Sequence, residues 1–211
     1  MKIHTYSMGP LETNTYILIK GNEALIIDPS WDSQAEYETI KSLLEGNQLV
    51  GIVCTHGHID HISGIPFLLN DYDAPLYINP KERSFLTTPS LNLSSMMGKE
   101  LIIDHPTSDL TAGSMTIGGF ELTIFDNPGH TSGGQSFLFD NDLICGDFIF
   151  KGGIGRMDFP TGSQTVMFES LKEFVLKHQD ENFNIHPGHG PQTSLDYEIA
   201  TNPYINHVLN Q

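Results

Sequence analysis

The sequence predicts an α/β (α+β) fold in which two similar halves each pair a sheet with helices on its outer side. Two observations predict it. Short apolar or alternating runs recur through all 211 residues, separated by Gly, Asn, Asp and Pro, and each half also contains a longer helical pattern. No low-complexity tract or linker interrupts them. The chain therefore reads as one domain, residues 1–211, close to the ~100–200 residues usual for one.

Taken in order, residues 15–20 (TYILIK) and 24–28 (ALIID) read as paired strands around a Gly21-Asn22 turn. Residues 33–44 read as a helix, with Ser33 as cap, Glu36 three residues on, and Gly46 as its end. Residues 49–54 form a short apolar run and predict a buried strand; 59–70 are helical in pattern despite Pro66; 75–78 predict a strand. The polar stretch 80–100 reads as helix fragments and loop. The second half repeats the theme. Strands are predicted at 114–117, 120–125, 136–139 and 143–145, with turns at Gly118-Gly119 and Asn141-Asp142. Residues 164–178 give the strongest helix, with Phe168 and Phe174 on its core side, and 182–186 a last strand.

Composition limits the partners. Against 26 Asp plus Glu stand only 10 Lys plus Arg, a formal charge of −16. Gripping a phosphate backbone needs clustered cations, so nucleic acid is disfavoured, and anionic membranes for the same reason. The opening MKIHTYSMGPLETNTY has no apolar core of a signal peptide, and no stretch approaches a membrane span. Cys54 and Cys145, each ending an apolar run, read as buried free thiols rather than a disulfide framework. These features predict a cytoplasmic protein whose partner is a small molecule.

Histidine is the unusual count, 10 of 211, with three inside the run CTHGHIDHISG. His56 and His58 are two apart, which at the end of an extended strand puts both rings on one face. Asp60 and His61 follow where the chain enters a helix. Mixed nitrogen and oxygen donors suit zinc or iron better than calcium or magnesium. Such a His-x-His-x-Asp-His run arises by chance on the order of once per thousand chains. Three later segments end an apolar run with a turn and a ligand-type residue: NPGHT (His130), CGD (Asp147) and HPGHG (His189). In two of them Pro stops the strand and Gly permits a turn that presents the next side chain inward. The plain alternatives are a solvated His-rich turn for residues 56–61 and turn or cap residues for the other three. Their joint occurrence favours a metal site.

THGHIDH, PGHTSGG, CGD and PGHG, spread over residues 54–190, resemble the metallo-β-lactamase-fold hydrolase superfamily in order and spacing. The resemblance implies a four-layer αββα sandwich of two pseudo-symmetric halves. It implies that His56, His58 and His130 hold one divalent ion, that Asp60, His61 and His189 hold a second, and that Asp147 bridges both. Zinc is the expected metal, with iron or manganese as alternatives.

Within the superfamily the sequence looks most similar to short glyoxalase II-like proteins. Asp147 stands where secreted zinc β-lactamases tend to carry a cysteine or lack the bridge. The run Gly155-Arg156-Met157-Asp158 resembles their Gly-Arg-Thr-Asp segment, and PGHGPQTSLDYEIATNP resembles their end. The chain stops at Gln211, so the C-terminal helical glutathione-binding domain of true glyoxalase II is not expected. The implied reaction is thioester hydrolysis of the hydroxyacylglutathione hydrolase kind, with a metal-bridging hydroxide as nucleophile and Asp60 orienting it. A thiolate, with thiol pKa ~8.5, leaves without a strong acid.

The alternative is a mononuclear iron persulfide dioxygenase of the same fold, using His56 and either His130 or His58 with Asp147. A lactonase, a nuclease and a non-catalytic binding module rank below it. Arg156 has three readings: a surface residue, a structural partner of Asp158, or a bidentate holder of a substrate carboxylate. Lys151 reads as solvated. Asp28 either supports a metal-binding histidine or orders a loop backbone. His4, His105, His178, His186 and His207 match no motif; His178 suits a helix C-terminus.

Overall fold

The computed structural model describes residues 1–211. Its first half carries β1 (Lys2–Met8), β2 (Thr13–Lys20), β3 (Glu23–Ile27), α1 (Gln34–Leu44), β4 (Gln48–Val53), α2 (Ile59–Ile62), α3 (Ile65–Asp71), β5 (Leu76–Ile78) and β6 (Thr107–Asp109). Two 3₁₀ segments, Pro80–Thr87 and Ser94–Met97, lie between β5 and β6. The second half carries β7 (Gly113–Ile117), β8 (Phe120–Asp126), β9 (Gln135–Phe139), β10 (Asp142–Gly146), β11 (Ile149–Phe150), β12 (Gly153–Ile154), α4 (Gln164–His178), β13 (Asn184–Pro187), β14 (Thr193–Ser194), α5 (Leu195–Thr201) and α6 (Pro203–Leu209). No helix is long and apolar enough to cross a membrane.

Two six-stranded sheets result, ordered β1-β2-β3-β4-β5-β6 and β14-β13-β10-β9-β8-β7. Strand alternation explains how they stack. In β2, Ile17 belongs to one core while Tyr16 and Leu18 belong to another; in β3, Ala24 and Ile26 divide from Leu25 and Ile27 in the same way. The first core joins the outer face of sheet one to Tyr37, Ile40, Ile62, Ile65 and Leu68 of α1–α3. The second lies between the sheets, with Phe120, Phe137 and Phe139 opposite Tyr16 and Leu25. The third joins sheet two to Met167, Leu171, Val175, Leu195, Ile205 and Val208 of α4–α6. Helix, sheet, sheet, helix is the four-layer αββα sandwich of the metallo-β-lactamase fold. Each fully buried Ile, Leu or Phe in these cores contributes about 1.5–3 kcal/mol by leaving water.

Several boundaries differ from the sequence reading. The predicted helix over 59–70 is two helices, broken at Ser63-Gly64, with Pro66 in the first turn of the second. A Cβ on Gly64 would stand 2.6 Å from the Trp31 ring, so the break is where helix and indole meet. The turn between β9 and β10 is Asp140-Asn141, one residue earlier than predicted, and Asp140 takes the left-handed φ of +52°. β1, β6, β11, β12, β14, α5 and α6 do not appear in the sequence reading. β1 is a half-buried edge strand, KIHTYSM, with no apolar run to betray it. Ser33 does cap α1, and Ser163, which the sequence reading did not name, caps α4, each accepting from the backbone N–H three residues on.

Candidate metal centre

The seven predicted ligands meet at one edge of the sandwich. β4, β8, β10 and β13 each end there, and the loop after each delivers its residues: His56 and His58, His130, Asp147, and His189. Asp60 and His61 come from α2, directly after His58. β4 stops at Val53, so His56 and His58 stand on a loop and not on a strand face as the spacing suggested. Their rings are nearly perpendicular, at 88°, with centroids 4.8 Å apart.

The glycines in the ligand segments have different causes. Gly129 adopts a φ of +140°, the turn expected before His130. Gly188 makes its bend without a positive φ. A Cβ there would lie 2.2 Å from Asp147 Oδ1 and 2.8 Å from His61 Cε1. That glycine makes room for the centre itself.

Two clusters share one carboxylate. His58 Nδ1 stands 3.1 Å from His56 Nε2 and 2.9 Å from His130 Nε2. His189 Nε2 stands 3.2 Å from Asp60 Oδ2, and His61 Nε2 lies 3.5 Å from the same oxygen. Asp147 faces both: Oδ2 is 3.4 Å from His130 Nε2, and Oδ1 is 3.4 Å from His61 Nε2 and 3.6 Å from His189 Nε2. With metal–nitrogen bonds of ~2.0–2.1 Å, the ligands of a tetrahedral ion stand about 3.3 Å apart. The observed separations fit that spacing. Three triads satisfy the requirement for a metal site: His56-His58-His130, His56-His61-Asp147 and Asp60-His61-His189. His61 Nε2 and Asp147 Oδ1 are also buried without a hydrogen-bond partner, as atoms reserved for a cation would be.

Outer contacts fix which ring nitrogen faces inward. Asp28 is fully buried after β3 and accepts three hydrogen bonds: from Thr55 N (2.7 Å), Thr55 Oγ1 (2.6 Å) and His61 Nδ1 (2.8 Å). It therefore both orders the ligand loop and orients a ligand, the two readings left open by the sequence. Because the Thr55 hydroxyl donates to Asp28, its oxygen accepts from His56 Nδ1 at 3.1 Å. His130 Nδ1 donates to the Arg156 carbonyl at 2.6 Å, and His189 Nδ1 to the Leu11 carbonyl at 3.2 Å. Four of the five imidazoles thus hold their proton on Nδ1 and turn Nε2 to the centre. His58 is the exception and presents Nδ1.

Charge follows geometry. Burial, then the neighbouring imidazoles, keep His56 well below the ordinary histidine value and push His58 down to about 3. Both are neutral ligands at pH 7. Burial also opposes charge on His61, but Asp60, Asp28 and Asp147 outweigh it and raise that ring well above its usual value. The same contest runs in reverse for the acids. Burial would raise Asp60 and Asp147, yet His61 and His189 hold both low.

Residues the sequence reading missed complete the frame. Thr13 Oγ1 donates to Asp60 Oδ2 at 2.9 Å. The Asn14 amide donates to the carbonyls of Pro187 (3.0 Å) and Gly190 (2.8 Å), and Tyr16 Oη donates to Pro187 at 2.6 Å. β2 thereby anchors the His189 loop. Glu82, in the polar stretch where only helix fragments were expected, accepts from Gly57 N and Gly133 N. Burial raises its carboxyl above the ordinary range.

Arg156 makes two parallel hydrogen bonds to Asp158, each 2.7 Å, and stacks on Phe159 at 4.0 Å. The guanidinium fork predicted to bind a substrate carboxylate is therefore filled by Asp158, the structural pairing among its three readings. Lys151 lies over the Tyr197 ring at 5.6 Å. Cys54 and Cys145 are buried free thiols as predicted. His178 does sit in the last turn of α4, packed among Phe125, Phe174 and Phe183.

Known proteins bear on this arrangement. The Metallo-beta-lactamase superfamily profile matches residues 8–189. A probable metallo-hydrolase, YqgX of Bacillus subtilis, is 34% identical over 210 residues, covering 98% of each chain. Among solved structures, the BLEG-1 B3 metallo-beta-lactamase is 32% identical with a TM-score of 0.88, covering 97% of this chain and 99% of its own. TTHA1623, solved in a di-iron-bound form, is 28% identical with a TM-score of 0.82, covering 95% of this chain and 99% of its own.

Proposed function

The chain belongs to the metallo-β-lactamase superfamily, and on that footing we propose a metal-dependent hydrolase that cleaves a thioester of a small molecule with two divalent ions. One observation carries this reading: Asp147 turns one oxygen to each of two complete clusters. His56, His58 and His130 would hold the first ion, and Asp60, His61 and His189 the second. Ions so held supply a nucleophilic water of lowered pKa and polarise the scissile carbonyl. Zinc suits this donor set, and the di-iron form of TTHA1623 supports iron as the alternative.

The chain's own residues do the rest. Asp60, its Oδ2 fixed by Thr13, orients the attacking water. No side chain is needed to protonate the leaving group, because a thiol of pKa ~8.5 departs as thiolate. A cavity of about 220 Å³ adjoins Asp60 and is walled by Leu11, Phe67, Met97 and Leu101, with Lys99 beside them. Asp32 and Asp60 line it as well, two carboxylates beside the one lysine, and it suits a small ligand with a short apolar arm. The −16 charge favours such a small molecule over a nucleic acid. Two buried free thiols suit a reducing cytoplasm.

Two other reactions compete. The 32% identity to a B3 metallo-beta-lactamase favours testing a β-lactam. A persulfide dioxygenase needs one ion, and a complete second cluster of Asp60, His61 and His189 argues against it. The deciding experiment offers the metal-loaded protein a panel of acyl-thioesters, a chromogenic β-lactam and, under oxygen, glutathione persulfide. Thioester cleavage with kcat/KM in the ~10⁴–10⁸ M⁻¹ s⁻¹ of ordinary enzymes, lost on chelation and restored by metal, is the expected result. Turnover of only the β-lactam or the persulfide would overturn the thioester assignment.

A further inference from the structure

The 3₁₀ segment Pro80–Thr87 is wedged between two ligand loops. A Cβ on Gly57 would lie 2.3 Å from Phe85 Cβ, and one on Gly133 would lie 2.9 Å from Glu82 Cγ and from Lys81 Cβ. Both loops carry glycine where this segment presses on them. Between them stands Glu82, 0% exposed. Its Oε2 accepts from Gly57 N at 3.0 Å, and its Oε1 from Gly133 N at 2.7 Å. Gly57 is the residue between His56 and His58; Gly133 is three residues after His130. None of Asp60, His61 and His189 contacts this carboxylate; they are held by Thr13, Asp28 and the Leu11 carbonyl instead.

We propose that Glu82 is a positioning residue for one ion alone, the one held by His56, His58 and His130. Its carboxylate ties together the two loops that supply those three imidazoles, beside the backbone bond from Gln135 N to Thr55 O at 2.9 Å. No Lys or Arg pairs with it. A buried carboxylate costs free energy unless hydrogen bonds repay it, so its place is explained by the two amides it joins. Glutamine in its place offers one acceptor oxygen and turns an N–H₂ toward the other amide. One loop then loses this anchor while the Gln135–Thr55 bond remains, and the triad is expected to loosen. The inference rests on reading these residues as metal ligands.

The test compares wild type, Glu82→Gln and Glu82→Asp. The aspartate keeps the charge but loses a methylene of reach. Glu198→Gln is the control. Glu198 is also 0% exposed and accepts from Gly152 N, Thr193 Oγ1 and the Asn202 amide, away from the triad. Zinc affinity is measured by competition with a chelator. The sites are told apart by anomalous diffraction from crystals loaded at limiting zinc. Both Glu82 variants are expected to lose ~10–100-fold in affinity at His56-His58-His130, with the ion at Asp60-His61-His189 retained. The Glu198 variant is expected to lose stability only. Equal loss at both sites, or a lower melting temperature with both affinities unchanged, would overturn the proposal. If Glu82→Gln fails to fold, Glu82→Asp decides by the same readout. Wild-type protein that binds no zinc at these residues would instead sink the metal reading itself.

Discussion

Asp147→Asn is expected to reduce bound metal from two ions to about one per chain and to lower kcat/KM by at least ~10³-fold, about 4 kcal/mol. The reason is the division of labour between its oxygens. Oδ2 faces His130 and Oδ1 faces His61 and His189. Asparagine keeps the shape but has one acceptor oxygen; its N–H₂ must point at one cluster, where it repels a cation and cannot ligate. The imidazoles also lose the carboxylate charge that balances them. Metal analysis of the purified variant, beside initial rates on the best thioester, checks both parts. Two ions and wild-type rates in the variant would remove Asp147 from the centre.

Asp28→Asn has the second largest expected effect, and a different pattern. Asp28 sits at a φ of +51°, which Asn adopts at least as readily as Asp, so the backbone is preserved. What changes is the acceptor count. Three donors converge on the two carboxylate oxygens: Thr55 N, Thr55 Oγ1 and His61 Nδ1. The amide can serve only one side of that set. Each charged hydrogen bond lost costs about 1.5–3 kcal/mol, which denaturant unfolding of the metal-free protein reads directly. A neutral amide oxygen is also a weaker acceptor than the carboxylate for His61 Nδ1, so affinity for the ion at Asp60-His61-His189 is expected to fall, by up to ~10–100-fold. A stability loss with unchanged metal affinity would mean that Asp28 orders only the loop.

These two residues mark how far the sequence could be read. Asp147 was legible because CGD falls in sequence with three other ligand-bearing turns, and each turn follows an apolar strand. The two halves of strands and helices were legible in the same way, while the four layers followed from the family resemblance; that β2 and β3 feed two cores showed only in space. Asp28 was half legible: its place after ALIID hinted at a role, while the choice between loop and ligand needed Thr55 and His61 in space. Glu82 was not legible. Its partners are 25 and 51 residues away, and it lies in a polar stretch with no periodic pattern. Thr13 is bonded across 47 residues to Asp60 and was hidden for the same reason. The break at Gly64 escaped because its cause is the Trp31 ring, a contact made only once the helices dock. Arg156 had three readings in the sequence, and the two bonds to Asp158, two residues on, agree with the structural one.

The central claim is that one carboxylate joins two metal sites in this chain. Anomalous diffraction from crystals of the protein loaded with zinc, with data collected on both sides of the zinc edge, tests it most directly. The account predicts two peaks, one among His56, His58 and His130, the other among Asp60, His61 and His189, with Asp147 contacting both. A single peak under saturating zinc, or peaks away from these seven residues, would contradict it.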